Sequence, residues 1–291
     1  MGRVIDSIRK RGELDNTMVI FIAGDNGASA EGSRQGLLNE MTFFNGVKEN
    51  IDDVLARADE IGSWKTYNHY PVGWAHAMCT PFQWTKQIAS HFGGTRNGMV
   101  ISWPKGIAAK GELRTQFHHC IDVVPTILEA CQVTMPSSVN GVTQKPIEGV
   151  SLAYTFAEAN AKGQRTKQYF ELLANRAIYS DGWVACTTPV GAPWDSAGAK
   201  VDEITGYKWE LYDTSKDFSQ AHDLAAEMPD KLKDLQLLFY TEAAHYNVLP
   251  IDNSKTERLD PAIRPSLTRG RKSFSYTEGM VRIPEGASPD I

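Results

Sequence analysis

The residues best placed to do chemistry fall in two short stretches. The first is Gly24-Asp25-Asn26-Gly27. Aspartate offers a charged oxygen and asparagine a neutral carbonyl oxygen, a pair that suits calcium or magnesium better than zinc. The flanking glycines let backbone approach an ion closely. The same tripeptide is ordinary turn chemistry, so its position must decide. The second stretch is Thr85-Lys86-Gln87, ahead of Phe92-Gly93-Gly94-Thr95-Arg96. An ammonium there can hold a tetrahedral oxyanion as a point charge, although most lysines are solvated surface groups. His69, His76 and His91 flank Lys86 and offer acid–base or substrate-contact groups. His118 and His119 precede a helical pattern and read as caps or packing.

These stretches need elements to position them. Met18-Val19-Ile20-Phe21-Ile22-Ala23 is a continuous apolar run, the pattern of a strand buried on both faces of a parallel sheet. It follows a helical pattern over Val4–Arg11 that Gly12 stops. The Asp25 loop therefore leaves the carboxyl end of a strand, where α/β folds place their sites. Gly24–Gly36 reads as loop, Asn50–Ile61 as helix, Gly62–Gln83 as a long ordered loop, and Gly98–Trp103 as the next buried strand. Asp122–Cys131 reads as a helix with Asp122 as N-cap and Pro125 in its first turn. Gln168–Leu172, Arg176–Ser180, Trp183–Thr187 and Trp209–Asp213 read as a small antiparallel sheet, and Pro229–His245 as an amphipathic helix. The predicted class is α/β, with a C-terminal α+β subdomain. The division is 1–164, 165–252 and an extended tail or linker over 253–291.

Composition narrows the function. Of 291 residues, 42% are hydrophobic and 22% charged, enough for a normal core. The net charge of −5 gives no basic field, so nucleic acid is not an expected partner. No apolar run suits a membrane span, and the start carries no secretory segment, which leaves periplasm and cytoplasm both open. Cys79, Cys120, Cys131 and Cys186 form no C-x-x-C pair and read as buried free thiols.

An ordered set of stretches resembles the type I, formylglycine-dependent arylsulfatases of the alkaline-phosphatase superfamily. The set runs from the strand into Asp25-Asn26-Gly27, through Tyr67-Asn68-His69-Tyr70-Pro71-Val72-Gly73-Trp74-Ala75, to Thr80-Pro81-Phe82 and Lys86. It continues through Phe92-Gly93-Gly94-Thr95-Arg96, Val100-Ile101-Ser102-Trp103-Pro104 and Ile121–Leu128, and ends at Trp209-Glu210-Leu211-Tyr212-Asp213 and Asp223-Leu224. The resemblance covers most of residues 1–252 and implies the C-terminal half of such an enzyme. It implies an alkaline-phosphatase-like, mostly parallel sheet with flanking helices. It implies that Asp25 and Asn26 ligate a metal, Ca²⁺ by preference with Mg²⁺ as the alternative. Lys86 would contact the sulfate and stabilise the leaving oxygen, and His69 would border the pocket. Where many relatives have a Glu before the paired glycines, this chain has His91-Phe92.

The family's formylglycine comes from a C/S-x-P-x-R motif, expected in an N-terminal half. Cys79-Thr80-Pro81-Phe82-Gln83 lacks the arginine and lies on the wrong side of the Asp25 loop, so it reads as coincidence. The expectation is a fragment of a sulfuric ester hydrolase, inactive alone, that acts on a small sulfate ester. Its partner would be the N-terminal half or a second copy. A phosphoester hydrolase of the same superfamily and a non-catalytic interaction module are the alternatives.

Overall fold

The computed structural model describes residues 1–45, 47–195 and 200–255. Helix α1 (Gly2–Lys10) ends at Arg11, with Gly12 in a left-handed turn at φ +73°. Strand β1 (Val19–Ile22) leads into the Asp25 loop. Helices α2 (Met41–Phe44), α3 (Ile51–Ala56) and α4 (Val72–Cys79) follow. Asn50 caps α3, its side chain accepting from the Asp52 N–H. Helix α4 interrupts the segment expected to be loop. It starts immediately after Pro71, and the mix of Gly73 with aromatic residues masked its periodicity.

Helix α5 (Phe92–Thr95) precedes β2 (Met99–Ser102), which pairs antiparallel with β1, Phe21 opposite Val100. Among the described residues no parallel strand flanks β1. The expected burial on both faces is not met. Phe21 is 47% exposed and Val100 62%, because no described element covers this apolar ribbon. Helix α6 (Val123–Ala130) and the short hairpin β3 (Ser138–Val139) and β4 (Val142–Thr143) complete the first part.

The second part is a meander of β5 (Lys167–Leu172), β6 (Asn175–Ser180), β7 (Trp183–Thr187) and β8 (Trp209–Asp213), each strand beside its sequence neighbour. Side chains alternate across a strand, and both faces of this sheet are used. Ile178, Ala185 and Leu211 face α7 (Pro229–His245) and pack on Leu235, Phe239 and Ala243. Burying one such large side chain contributes about 1.5–3 kcal/mol. Ala177, Val184, Cys186 and Tyr212 face the other way and pack on Phe92 of α5. The sheet therefore forms one wall behind the Lys86 loop.

Two buried charges brace the structure. The Arg176 guanidinium donates to the carbonyls of Ala174, Glu203 and Ile204 and lies over the rings of Tyr207 and Trp209. Asp122 accepts from the Arg165 guanidinium, from His118 and from the N–H groups of His119 and Val150. It tethers the start of α6 to the chain entering β5.

Candidate functional site

The Asp25 loop is held from below. Gly24 takes φ +91°. The Gly27 N–H donates to Gly94 O at 2.9 Å, and the Lys86 N–H donates to Ala28 O at 3.0 Å. A Cβ on Gly27 would stand 1.7 Å from Gly93 O, so this contact requires glycine. With its amide nitrogen turned toward Asn26 O, Asn97 donates to that oxygen at 2.9 Å and accepts from the Asn26 N–H at 3.1 Å. Asp25 stays exposed.

The segment around Lys86 is strained. Trp84 and Gln87 lie at φ +67° and +75°, which costs a non-glycine residue about 1–3 kcal/mol each. The cost is offset by pinning on both sides. Gly93 N–H donates to Gln83 O, and Gln220 reaches the Phe92 N–H at 2.9 Å.

Lys86 Nζ lies 3.1 Å from Glu31 Oε2. Gln87 donates to the other Glu31 oxygen at 2.9 Å, and Ser29 Oγ lies 2.8 Å from Oε2. Burial alone would raise the Glu31 carboxyl, but these hydrogen bonds from Ser29, Lys86 and Gln87 outweigh it and lower the group below its ordinary value. His69 joins the same cluster. Mutual hydrogen bonds between the backbones of Leu37 and His69 place its ring, whose Nε2 lies 2.9 Å from Ser29 Oγ. Its Nδ1 lies 3.0 Å from Tyr70 O, which can only accept, so Nδ1 carries a proton. The Ser29 hydroxyl donates to the Glu31 carboxylate and accepts from the Glu31 N–H at 3.3 Å. His69, Ser29, Glu31 and Lys86 therefore form one continuous hydrogen-bonded row.

Of the predicted residues, the structure thus places Lys86 and His69 on one carboxylate–hydroxyl cluster, in the loop that Asp25 and Asn26 begin. Glu31 and Ser29 escaped sequence reading, because a lone acid in a glycine-rich loop reads as a turn residue. His76 is exposed on α4. His91 does not border this cluster: it is buried against the sheet and pairs with Glu210 at 3.0 Å. His118 and His119 serve Asp122 and the turn before α6, as expected of packing and capping groups. Cys79 and Cys186 are buried thiols, whereas Cys120 and Cys131 are exposed because they lie outside the packed faces at either end of α6. Cys79 accepts from the Ala28 N–H at 3.2 Å, a support for the loop. A cavity of about 380 Å³ lined by Arg165, Lys167, Glu148 and Glu242 contains none of the predicted site residues.

Comparison with known proteins finds a likeness to sulfatases over part of the chain. Residues 1–133 match the Sulfatase family model. An uncharacterized sulfatase of Schizosaccharomyces pombe is 30% identical over 237 residues, 81% of this chain and 39% of the relative. The chain thus spans about two fifths of the length of this sulfatase. Among solved structures, Ps i-CgsB is similar with TM-score 0.54 and 14% identity, over 90% of this chain and 44% of that one. BT4656, solved with its substrate D-glucosamine-2-N,6-O-disulfate, is similar with TM-score 0.50 and 17% identity, over 87% and 39%. At these identities the likeness shows a shared alkaline-phosphatase-like α/β fold. The matched residues 1–133 include the Asp25 loop, the Lys86 segment and α6.

Proposed function

We propose that this chain carries the metal-binding and sulfate-contacting part of an arylsulfatase-type sulfuric ester hydrolase. One observation carries the reading: Lys86 and His69 converge on Glu31 and Ser29, in the loop that begins with Asp25-Asn26. Asp25 and Asn26 supply two oxygen donors of the kind a hard cation takes, and Asp25 stands exposed. Calcium takes about six to eight oxygens, so other donors must complete the shell. When bound, such an ion supplies electrostatic stabilisation to a sulfate oxygen.

The chain's own residues then act as follows. Lys86 places a fixed positive charge near the ester oxygen that becomes the leaving group. Glu31 holds that ammonium at 3.1 Å. His69, whose Nε2 faces the Ser29 hydroxyl at 2.9 Å, is the group placed to give a proton to the departing alcohol. The paired glycines and strained backbone fix Lys86 so that little reorganisation accompanies charge development.

The 291 residues hold no C/S-x-P-x-R motif. Cys79, in the nearest match, is buried and serves as a hydrogen-bond acceptor. We therefore expect no turnover of an aryl sulfate by these residues alone. Turnover by the purified chain that disappears in Asp25→Ala would contradict this. A second reading, attachment to another polypeptide, is supported by the exposed apolar ribbon of β1 and β2. The N-terminal half of a sulfatase is the partner that the family resemblance suggests.

A further inference from the structure

Away from the Asp25 loop, three side chains from separate elements meet in the interior. His91 comes from the residue before α5, Cys186 from β7 and Glu210 from β8. Cys186 and Glu210 are direct cross-strand partners, so their side chains share the face on which Phe92 packs. One ligand atom of each residue lies within 4.8 Å of the other two. His91 Nε2 is 3.0 Å from Glu210 Oε2 and 3.8 Å from Cys186 Sγ. His91 and Cys186 are fully buried.

From these distances we infer a buried zinc site formed by His91, Cys186 and Glu210. Zinc bonds of about 2.0–2.1 Å to nitrogen and oxygen and 2.3 Å to sulfur, at tetrahedral angles, separate nitrogen from oxygen by about 3.3 Å and nitrogen from sulfur by about 3.6 Å. The observed separations differ from these by only a few tenths of an ångström. Imidazole, thiolate and carboxylate together select zinc over the hard cations that Asp25 and Asn26 suit. Outer partners are in place as well. Ser90 Oγ lies 2.9 Å from His91 Nδ1, Tyr212 donates to Glu210 Oε2 at 2.9 Å, and Thr188 donates to Glu210 Oε1. Such partners orient ligands and fix the imidazole tautomer. On binding, Cys186 loses its thiol proton to solvent. His91 carries its proton on Nδ1, toward Ser90, and presents the Nε2 lone pair to the ion. A water or the second oxygen of Glu210 fills the fourth position.

The ion would tie the backbone five residues beyond Lys86 to the antiparallel sheet. Neither the site nor its test depends on sulfate chemistry. The test is a Co²⁺ titration of the chelator-stripped full chain, read by absorbance. The expected result is a thiolate-to-cobalt charge-transfer band that saturates at one equivalent and is displaced by Zn²⁺. The band is lost in Cys186→Ala, weakened in Glu210→Gln, and kept in Asp25→Ala and in Cys120→Ser with Cys131→Ser. Zn²⁺ should also raise the wild-type melting temperature. A folded wild-type chain that gives no such band, or a band that survives Cys186→Ala, overturns the site even if a variant fails to fold.

Discussion

Asp122 shows how one residue can govern stability. It is fully buried, and although burial raises a carboxyl, the hydrogen bonds from His118, Arg165 and two backbone N–H groups hold it far below the ordinary range. A carboxyl lowered in the folded state stabilises that state above its unfolded value near pH 4. This contribution fades as pH falls toward the folded value. Asp122→Asn leaves Arg165 buried without its charge partner, so it should cost about 3–5 kcal/mol at pH 7. Urea unfolding at pH 7 and pH 3 checks this: the gap between variant and wild type should narrow at the lower pH. Glu31 acts at the same scale on the proposed site. Glu31→Gln removes the charge that holds Lys86, and the Lys86 ammonium should become mobile in side-chain NMR while the melting temperature changes little.

At the scale of elements, packing dictates what each segment tolerates. A Cβ on Gly94 would lie 2.1 Å from Ile88 O, a backbone atom that cannot swing aside. Gly94→Ala should therefore destabilise the chain and displace the Lys86 loop, visible as lost amide protection over residues 83–95 in hydrogen exchange. Phe239→Ala, at the fully buried centre of α7 against the sheet, should cost about 3–5 kcal/mol by denaturant unfolding. These elements differ in how legible they were. Strands β5 to β8 and α7 announce themselves by clean period-two and helical patterns bounded by turn residues. Helix α4 does not, because Gly73 and its aromatic neighbours break the pattern. The Met18–Ala23 run showed a strand but not its surroundings, since an apolar run reports what a strand needs and not what covers it. Of the proposed site, Asp25, Asn26, Lys86 and His69 could be named from motif order. Glu31, Ser29 and the His91–Glu210 pair could not, because their roles arise from contacts between distant segments.

The whole molecule combines a well-packed meander and helix with a first part whose apolar strands lie open. Phe21 and Val100, direct cross-strand partners, are both exposed, and Val124 and Ile127 of α6 are exposed as well. Apolar surface of this kind drives association. The purified chain should elute above its 32.2 kDa mass in size-exclusion chromatography with light scattering. Phe21→Ser with Val100→Ser should shift it toward monomer. No described helix is long and apolar enough to cross a membrane. We propose that the Asp25 loop and Lys86 together form a sulfate-contacting cradle. An NMR titration of the chain with an aryl sulfate in the presence of Ca²⁺ examines this cradle. Shift changes should be confined to residues near Gly27, Lys86 and Gly94, with affinity falling about tenfold or more, at least 1.4 kcal/mol, in Lys86→Ala. Shifts elsewhere in the chain, or a Lys86→Ala chain that binds as the wild type does, would contradict it.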